Sequence, residues 1–490
     1  MEDKILVPSA PILVESTRSI GYSFNSALAD ILDNSLAKFS TKIDVLYYDN
    51  PDLYLAIIDN GIGMDFNELI NAMRFGSQSS LLERTPNDLG RFGLGLKTAS
   101  LSQCRKLTVI SKKNYEINGT KWDLEHIIEK NDWALQILSK EAIESLPFFD
   151  EFNVNDSGTM VIWEEFDKIK KSSMTPKKAF SNLISEAQNH ISLVFHRFLN
   201  GEVTKSKLKI RFNNRDVNPI DPFLTHHAAT QPLNKLQLNI NDQIIEVKAY
   251  VLPYPSKLSA KDREKLGNIA DLRRSQGLYI YRNKRLIIWG KWFGLIKNNE
   301  LKKLARVKVD IPSNLDDIWD IDVKKSTASL PDALKKPLSD YVQKVAEKSE
   351  NVYKFRGRKA NNDNVVHIWD LITERDTFRY EINRNNPLIK ELSKSLNDEA
   401  SSDLETLLQI IEEMFPFEDM YVRMSGKENT NLKITQDDER IYEAGIRLLD
   451  IFKENGVSFE DAFKEISNMD LFMKNEKVIN HLRSKNNYDK

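Results

Sequence analysis

One cysteine, Cys104, occurs in 490 residues. A single thiol cannot close an intrachain disulfide or build a thiolate cluster, which excludes a secreted disulfide scaffold and a zinc finger. No apolar run approaches the roughly 18 residues that a membrane helix requires, so no membrane partner is expected. An excess of charge is also missing: 70 Lys and Arg against 72 Asp and Glu leave a formal net charge of -2. That balance argues against coating nucleic acid by bulk charge, although local basic patches remain available. The opening MEDKILVPSAPILVES carries an early acid and two prolines in a short apolar stretch, unlike a signal peptide with a basic leader. A cytoplasmic protein is therefore expected. Histidines are few and scattered, and the adjacent His226 and His227 lack acidic companions at ligand spacing, so they read as polar surface.

At roughly 150 residues per domain the length suits about three domains. Between positions 25 and 39 the residues Leu28, Ile31, Leu32, Leu36 and Phe39 recur at helical spacing and define one apolar stripe. At about 100 degrees per residue, Asp30 and Asn34 fall together on the opposite face, with Asp33 off to one side as a salt-bridge or capping residue. Two β-rich runs follow, IDVLYY and LYLAIID, separated by the turn signal DNPD. A short helix is expected over 65–75, strands at 106–111 and 158–166, and a long helix over 176–198.

From about 205 to 330 strands alternate with turns, which predicts a second α/β domain. Residues 351–364 are polar, basic and without apolar periodicity, and are read as a linker. Beyond them the chain reads as mostly helical. The expected domains are 1–200, 201–350 and 365–490, the last a partner or dimerisation region.

Two stretches carry chemistry. In IIDNGIGM an apolar strand delivers Asp59 to a turn where Gly61 and Gly63 permit close backbone approach. A carboxylate at such a strand end can accept a hydrogen bond from a purine exocyclic amine, although D-N-G is also an ordinary turn. In GRFGLGLKTAS, Gly90, Gly93 and Gly95 precede a helix that contains Lys97. Free backbone amides, a helix N-terminus and a lysine suit phosphate, yet the spacing is not that of a P-loop.

The order of these pieces, followed by Gly158 and Thr159, resembles the N-terminal ATPase of the GHKL superfamily: gyrase B, heat-shock chaperones, histidine kinases, MutL and MORC proteins. That resemblance implies an α+β two-layer sandwich, within the α/β class, binding ATP with Mg²⁺. It implies that Asn34 holds the metal and that Asp59 binds adenine, supported by the hydroxyl of Thr159. Gly61, Gly63 and Met64 then line the adenine pocket. Gly90, Arg91, Phe92, Gly93, Leu94, Gly95 and Lys97 match the ATP lid. Asp30 stands where hydrolysing MutL- and MORC-type relatives have glutamate as the base that orients water, one methylene longer. The second domain resembles the transducer of these families, and either Lys324 or Lys325 is the candidate for contact with the γ-phosphate.

Prokaryotic MORC-like proteins give the best resemblance, over about residues 10 to 350, through STRSIGYSFNSALADILDNSLA, FGSQSS and GLYIYRNKRLI. It implies an ATP-dependent homodimer, and some relatives accompany restriction or anti-phage defence genes. No histidine precedes Asn25, against a histidine kinase, and no endonuclease motif of the D-Q-H-A type appears. The competing readings are a chaperone-like ATPase and a nucleotide-gated switch that binds an effector protein with little turnover. Basic clusters at 166–180, 262–275 and 353–360 favour a DNA clamp held through phosphate contacts.

Overall fold

The computed structural model describes residues 3, 8–19, 21–76, 95–170, 174–203, 207–240, 243–266, 269–297, 302–312, 315, 319, 330–354, 367–374, 377–416, 438–473 and 475–484. They form two compact units, 1–356 and 357–490.

The first unit begins with an eight-stranded sheet. Its strands are β1 (Lys42–Tyr48), β2 (Tyr54–Asp59), β3 (Lys106–Lys113), β4 (Glu116–Asp123), β5 (Gln136–Ile137), β6 (Gly158–Glu164), β7 (Lys209–Phe212) and β8 (Arg215–Asp216). Their order across the sheet is β5-β4-β3-β6-β2-β1-β7-β8. The central β2 is buried at every position because both faces of the sheet are covered. With alternate side chains on opposite faces, Leu55 and Ile57 enter the core under the helices. Tyr54, Ala56 and Ile58 enter a smaller core with Ile143 and Phe152.

On the first face lie α1 (Ala10–Arg18), α2 (Phe24–Ala37), α3 (Phe66–Met73), α4 (Gly95–Leu101) and the longer helix Pro176–Val194. Ser23 caps α2 by accepting from the amide of Ser26, and Asp65 with Glu68 forms a reciprocal capping box at the start of α3. The α2 stripe differs from expectation at its end. The helix stops at Ala37, and Phe39 sits in a left-handed turn (φ 62°) with 75% of its surface exposed. Asp30 and Asp33 are buried as well, because other parts of the fold cover them.

The expected boundary at 200 falls inside this sheet. β7 pairs in parallel with β1, Ile43 opposite Ile210, and β8 pairs with β7, so the first layer runs on to Asp216. Pairing between residues so far apart in sequence leaves no local signal.

The second sheet contains β9 (Gln231–Pro232), β10 (Leu236–Ile240), β11 (Gln243–Val251), β12 (Gly277–Arg282), β13 (Arg285–Lys291) and β14 (Ala305–Ile311). The order is β10-β11-β14-β12-β13, with β9 beside β11. The helix Asp332–Lys354 packs on β10, β11 and β14, burying Leu338, Val342 and Val345 against Val247, Val307 and Val309. That helix occupies the first residues assigned to the linker. Its apolar spacing is weak at that end, where the sequence turns polar and basic. Asn283 and Lys284 join β12 to β13 with φ of 47° and 69°, the type I′ geometry that matches strand twist.

The second unit, described by itself, has a hairpin of β15 (Trp369–Glu374) and β16 (Thr377–Ile382) followed by helices. The hairpin departs from the mostly helical reading: alternating Leu371, Thr373, Phe378 and Tyr380 follow strand rather than helical spacing. Ile441, Leu448, Phe452, Ile466, Phe472 and Leu482 form the helical core.

Candidate functional site

Asp59 is the last residue of β2, and only 6% of its surface remains exposed. The Ser35 hydroxyl donates to Oδ2 at 2.8 Å, and the Ser40 hydroxyl donates to Oδ1 at 3.1 Å. The Gly61 amide donates to Oδ1 at 2.8 Å. Burial pushes the carboxyl above its ordinary pKa, while these donors and the Thr159 main chain oppose that rise. The result is an oriented acceptor held at the edge of the core. Asn60 fixes the turn by accepting from the amides of Thr41 and Lys42, each at 2.9 Å.

The glycines are needed for proximity. A Cβ at Gly61 would lie 2.7 Å from Ser40 Oγ, and one at Gly63 (φ 67°) would lie 1.9 Å from the Lys112 carbonyl oxygen. This close approach lets the Met64 amide donate to Ser111 Oγ at 2.8 Å. Ser111 Oγ also lies 3.0 Å from Thr159 Oγ1. Thr159 stands opposite Asp59 in the ladder, but its hydroxyl pairs with Ser111 and what reaches Asp59 is main chain. Paired with both strands, Thr159 shares one face of the sheet with Asp59 and Ser111.

On α2, Asp30 and Asn34 are one turn apart, with Asp30 buried and Asn34 half-buried. The Tyr22 hydroxyl donates to Asp30 Oδ2 at 3.1 Å. Asp33 is 1% exposed and accepts from Arg285 Nε at 2.7 Å, across 252 positions of sequence. Its salt-bridge role is thus made with the second sheet. Arg285 Nη2 also lies 3.8 Å from Asp30 Oδ1. His190 nearby is held down to about 4 by burial and by Arg285, so its ring is neutral at pH 7.

Gly95 opens α4, which packs against α2. Lys97 was expected to face phosphate, but its side chain is buried and Nζ donates to the Ala72 carbonyl at 2.9 Å, near the C-terminal end of α3. Helix carbonyls there attract a cation, while burial lowers its pKa to about 8. Gly90, Arg91, Phe92, Gly93 and Leu94 lie outside the described residues, as do Lys324 and Lys325. His226 meets Asp262 at 3.3 Å on the surface, and among the described residues no group of three acidic, histidine or cysteine side chains is placed for a metal. Among the described residues no helix is long and apolar enough to cross a membrane.

Residues 22–159 match the family described as histidine kinase-, DNA gyrase B-, and HSP90-like ATPase. The match starts at Tyr22, which touches Asp30, and ends at Thr159, opposite Asp59. These residues form a GHKL ATPase domain. Similar segments occur in ATPase MORC2B of Mus musculus, 37% identical over 93 residues, 18% of this chain and 9% of that protein. The putative MutL protein homolog 1 of Schizosaccharomyces pombe is 34% identical over 98 residues, 20% of this chain and 14% of the relative. The chaperone protein HtpG of Campylobacter jejuni subsp. doylei is 33% identical over 114 residues, 21% of this chain and 18% of the relative. The matched segments therefore span less than a fifth of each relative.

The GHKL domain gathers groups that motif reading missed. Ser35 follows Asn34 directly and Ser40 follows the helix end, so small hydroxyl residues beside the motif were the available sign. Ser111 is the last buried position of β3, just before Lys112 and Lys113, and no local pattern set it apart. Nothing local marked Arg285, because its partners belong to a helix far upstream.

Proposed function

We propose that this chain is a Mg-ATP-binding ATPase of MORC-like type that uses ATP-driven N-terminal dimerisation and closure as a clamp or switch on DNA. The carrying observation is the buried Asp59, oriented by Ser35, Ser40 and Gly61 within the GHKL domain. A fixed carboxylate of this kind suits the exocyclic amine of adenine, with Gly61, Gly63, Met64 and Thr159 beside it. Asn34 offers a hard oxygen donor suited to Mg²⁺. The metal, when bound, neutralises phosphate charge.

Asp30 orients the attacking water in this reading. Tyr22 holds one oxygen of that carboxylate, and the lid residues 90–95 supply phosphate contacts. The second sheet serves as the transducer, and Lys324 or Lys325 senses the γ-phosphate. Local basic clusters hold DNA through its phosphates without sequence readout. In this reading the protein works in the cytoplasm within an anti-phage defence or restriction system, a setting that some MORC-like relatives share.

A second reading has one specific observation in its favour. Asp30 is short and already engaged by Tyr22, which suits slow turnover and a switch that binds an effector protein. The test measures ATP turnover and dimerisation of the parent and Asp30→Asn, with and without DNA, at two salt concentrations. The clamp predicts ATP-dependent, salt-sensitive DNA binding, and turnover lost in Asp30→Asn with ATP affinity kept. ATP binding without turnover, but with nucleotide-dependent partner binding, favours the switch. Turnover that responds to unfolded protein and not to DNA favours a chaperone-like ATPase.

A further inference from the structure

The connection between the second sheet and α2 contains a charged group that the ATPase reading leaves unused. Among the described residues, the polar contacts between the sheet and the first layer include these three: His196 Nε2 with the Tyr281 hydroxyl at 2.7 Å, Arg197 with Asp310 at 2.5 Å, and Arg285 with Asp33 at 2.7 Å. Of these three, only Arg285 reaches α2. Its guanidinium is almost fully buried, packs over the Phe195 ring at 5.6 Å and stands between two carboxylates as buried as itself. It opens β13 directly after the type I′ turn, so the turn and the sheet fix where it stands.

We propose that Arg285 is a positioning residue that couples the second sheet to Asp30. It binds Asp33 through Nε and presents Nη2 toward Asp30, so a displacement of β13 changes the electrostatic seat of Asp30 without touching nucleotide. Arginine suits this role because its planar fork addresses two carboxylates at once, which the point charge of lysine does not. This inference rests on the reading that Asp30 serves bound ATP.

Removing the guanidinium alone leaves Asp33 buried without this partner, so Arg285→Met is expected to lose stability. The informative protein is the full chain carrying Arg285→Met and Asp33→Leu together, an apolar replacement of the pair. Its ATP affinity, kcat, KM and melting temperature are compared with those of the parent. Amide exchange over residues 277–291 is followed in both, with and without Mg-ATP.

The expected result is a folded double variant with ATP affinity within about threefold of the parent. Its kcat falls at least tenfold with KM unchanged, and the slowing of exchange at 277–291 that ATP causes in the parent is lost. Parent-like kcat in the double variant overturns the proposal, as does the same exchange response in both proteins or no response in the parent. If the parent binds ATP without turning it over, the exchange comparison alone decides. If the parent does not bind ATP, the ATPase reading itself falls and the coupling falls with it. Should the double variant fail to fold, Arg285→Lys carries the same comparison: parent-like melting with lowered kcat supports the role, and parent-like kcat overturns it.

Discussion

Asp59→Asn replaces a carboxylate by an amide of nearly the same shape, and the donors around it allow the consequence to be worked out. If the amide oxygen takes the place of Oδ1, it keeps the Gly61 amide at 2.8 Å and the Ser40 hydroxyl at 3.1 Å. The NH₂ then faces Ser35, whose hydroxyl can turn to accept and donate instead toward the Ile31 carbonyl, 3.4 Å away. The fold thus keeps most of its partners, and relief of a buried charge offsets the rest, so stability changes by about 1 kcal/mol or less. Binding suffers more: an adenine amine meets a donor where it met an anionic acceptor, a loss of about 2–4 kcal/mol. At 1.4 kcal/mol per tenfold, ATP affinity falls roughly 30- to 700-fold. Calorimetric titration with Mg-ATP, paired with a thermal melt of both proteins, checks this. An affinity within threefold of the parent, at an unchanged melting temperature, would refute the assignment of Asp59 to the base.

Two further outcomes follow from other parts of the site. Lys97 titrates near pH 8 when folded and near its ordinary 10.5 when unfolded, so between these values the unfolded chain holds more protons. Stability of the parent relative to Lys97→Met therefore rises from pH 8 toward pH 10.5, and denaturant midpoints at pH 7.5 and 9.5 measure it. A difference between the two proteins that stays flat with pH would contradict the burial of the amine. Gly63→Ala places a methyl 1.9 Å from the Lys112 carbonyl at a φ of 67°. Destabilisation of about 2–4 kcal/mol is expected, read as a lowered denaturant midpoint; an unchanged midpoint would show that the loop yields freely.

The strand LYLAIID, its terminal Asp59 and the glycines after it were legible because their signals are local: an apolar run, a turn and positions intolerant of a side chain. The helix bearing Asp30, Asp33 and Asn34 was legible for the same reason. Its apolar stripe follows from spacing alone. What spacing could not supply was the other side of each contact. Helical periodicity put Asp30 opposite the apolar stripe but did not show that Tyr22 and Arg285 stand beside it. Gly-rich sequence suggested that Lys97 met phosphate, whereas packing of α4 against its neighbours turns the amine toward Ala72.

Local sequence by itself determined the elements and the aspartate at the end of β2, since propensity, capping and turn chemistry act over a few residues. Tertiary structure alone decided that β7 and β8 extend the first sheet, that Ser35, Ser40 and Gly61 converge on one carboxylate, and that Arg285 reaches Asp33. The physical reason is that side-chain hydrogen bonds and buried charges need partners within a few ångströms, and only the closed fold brings such distant residues that near.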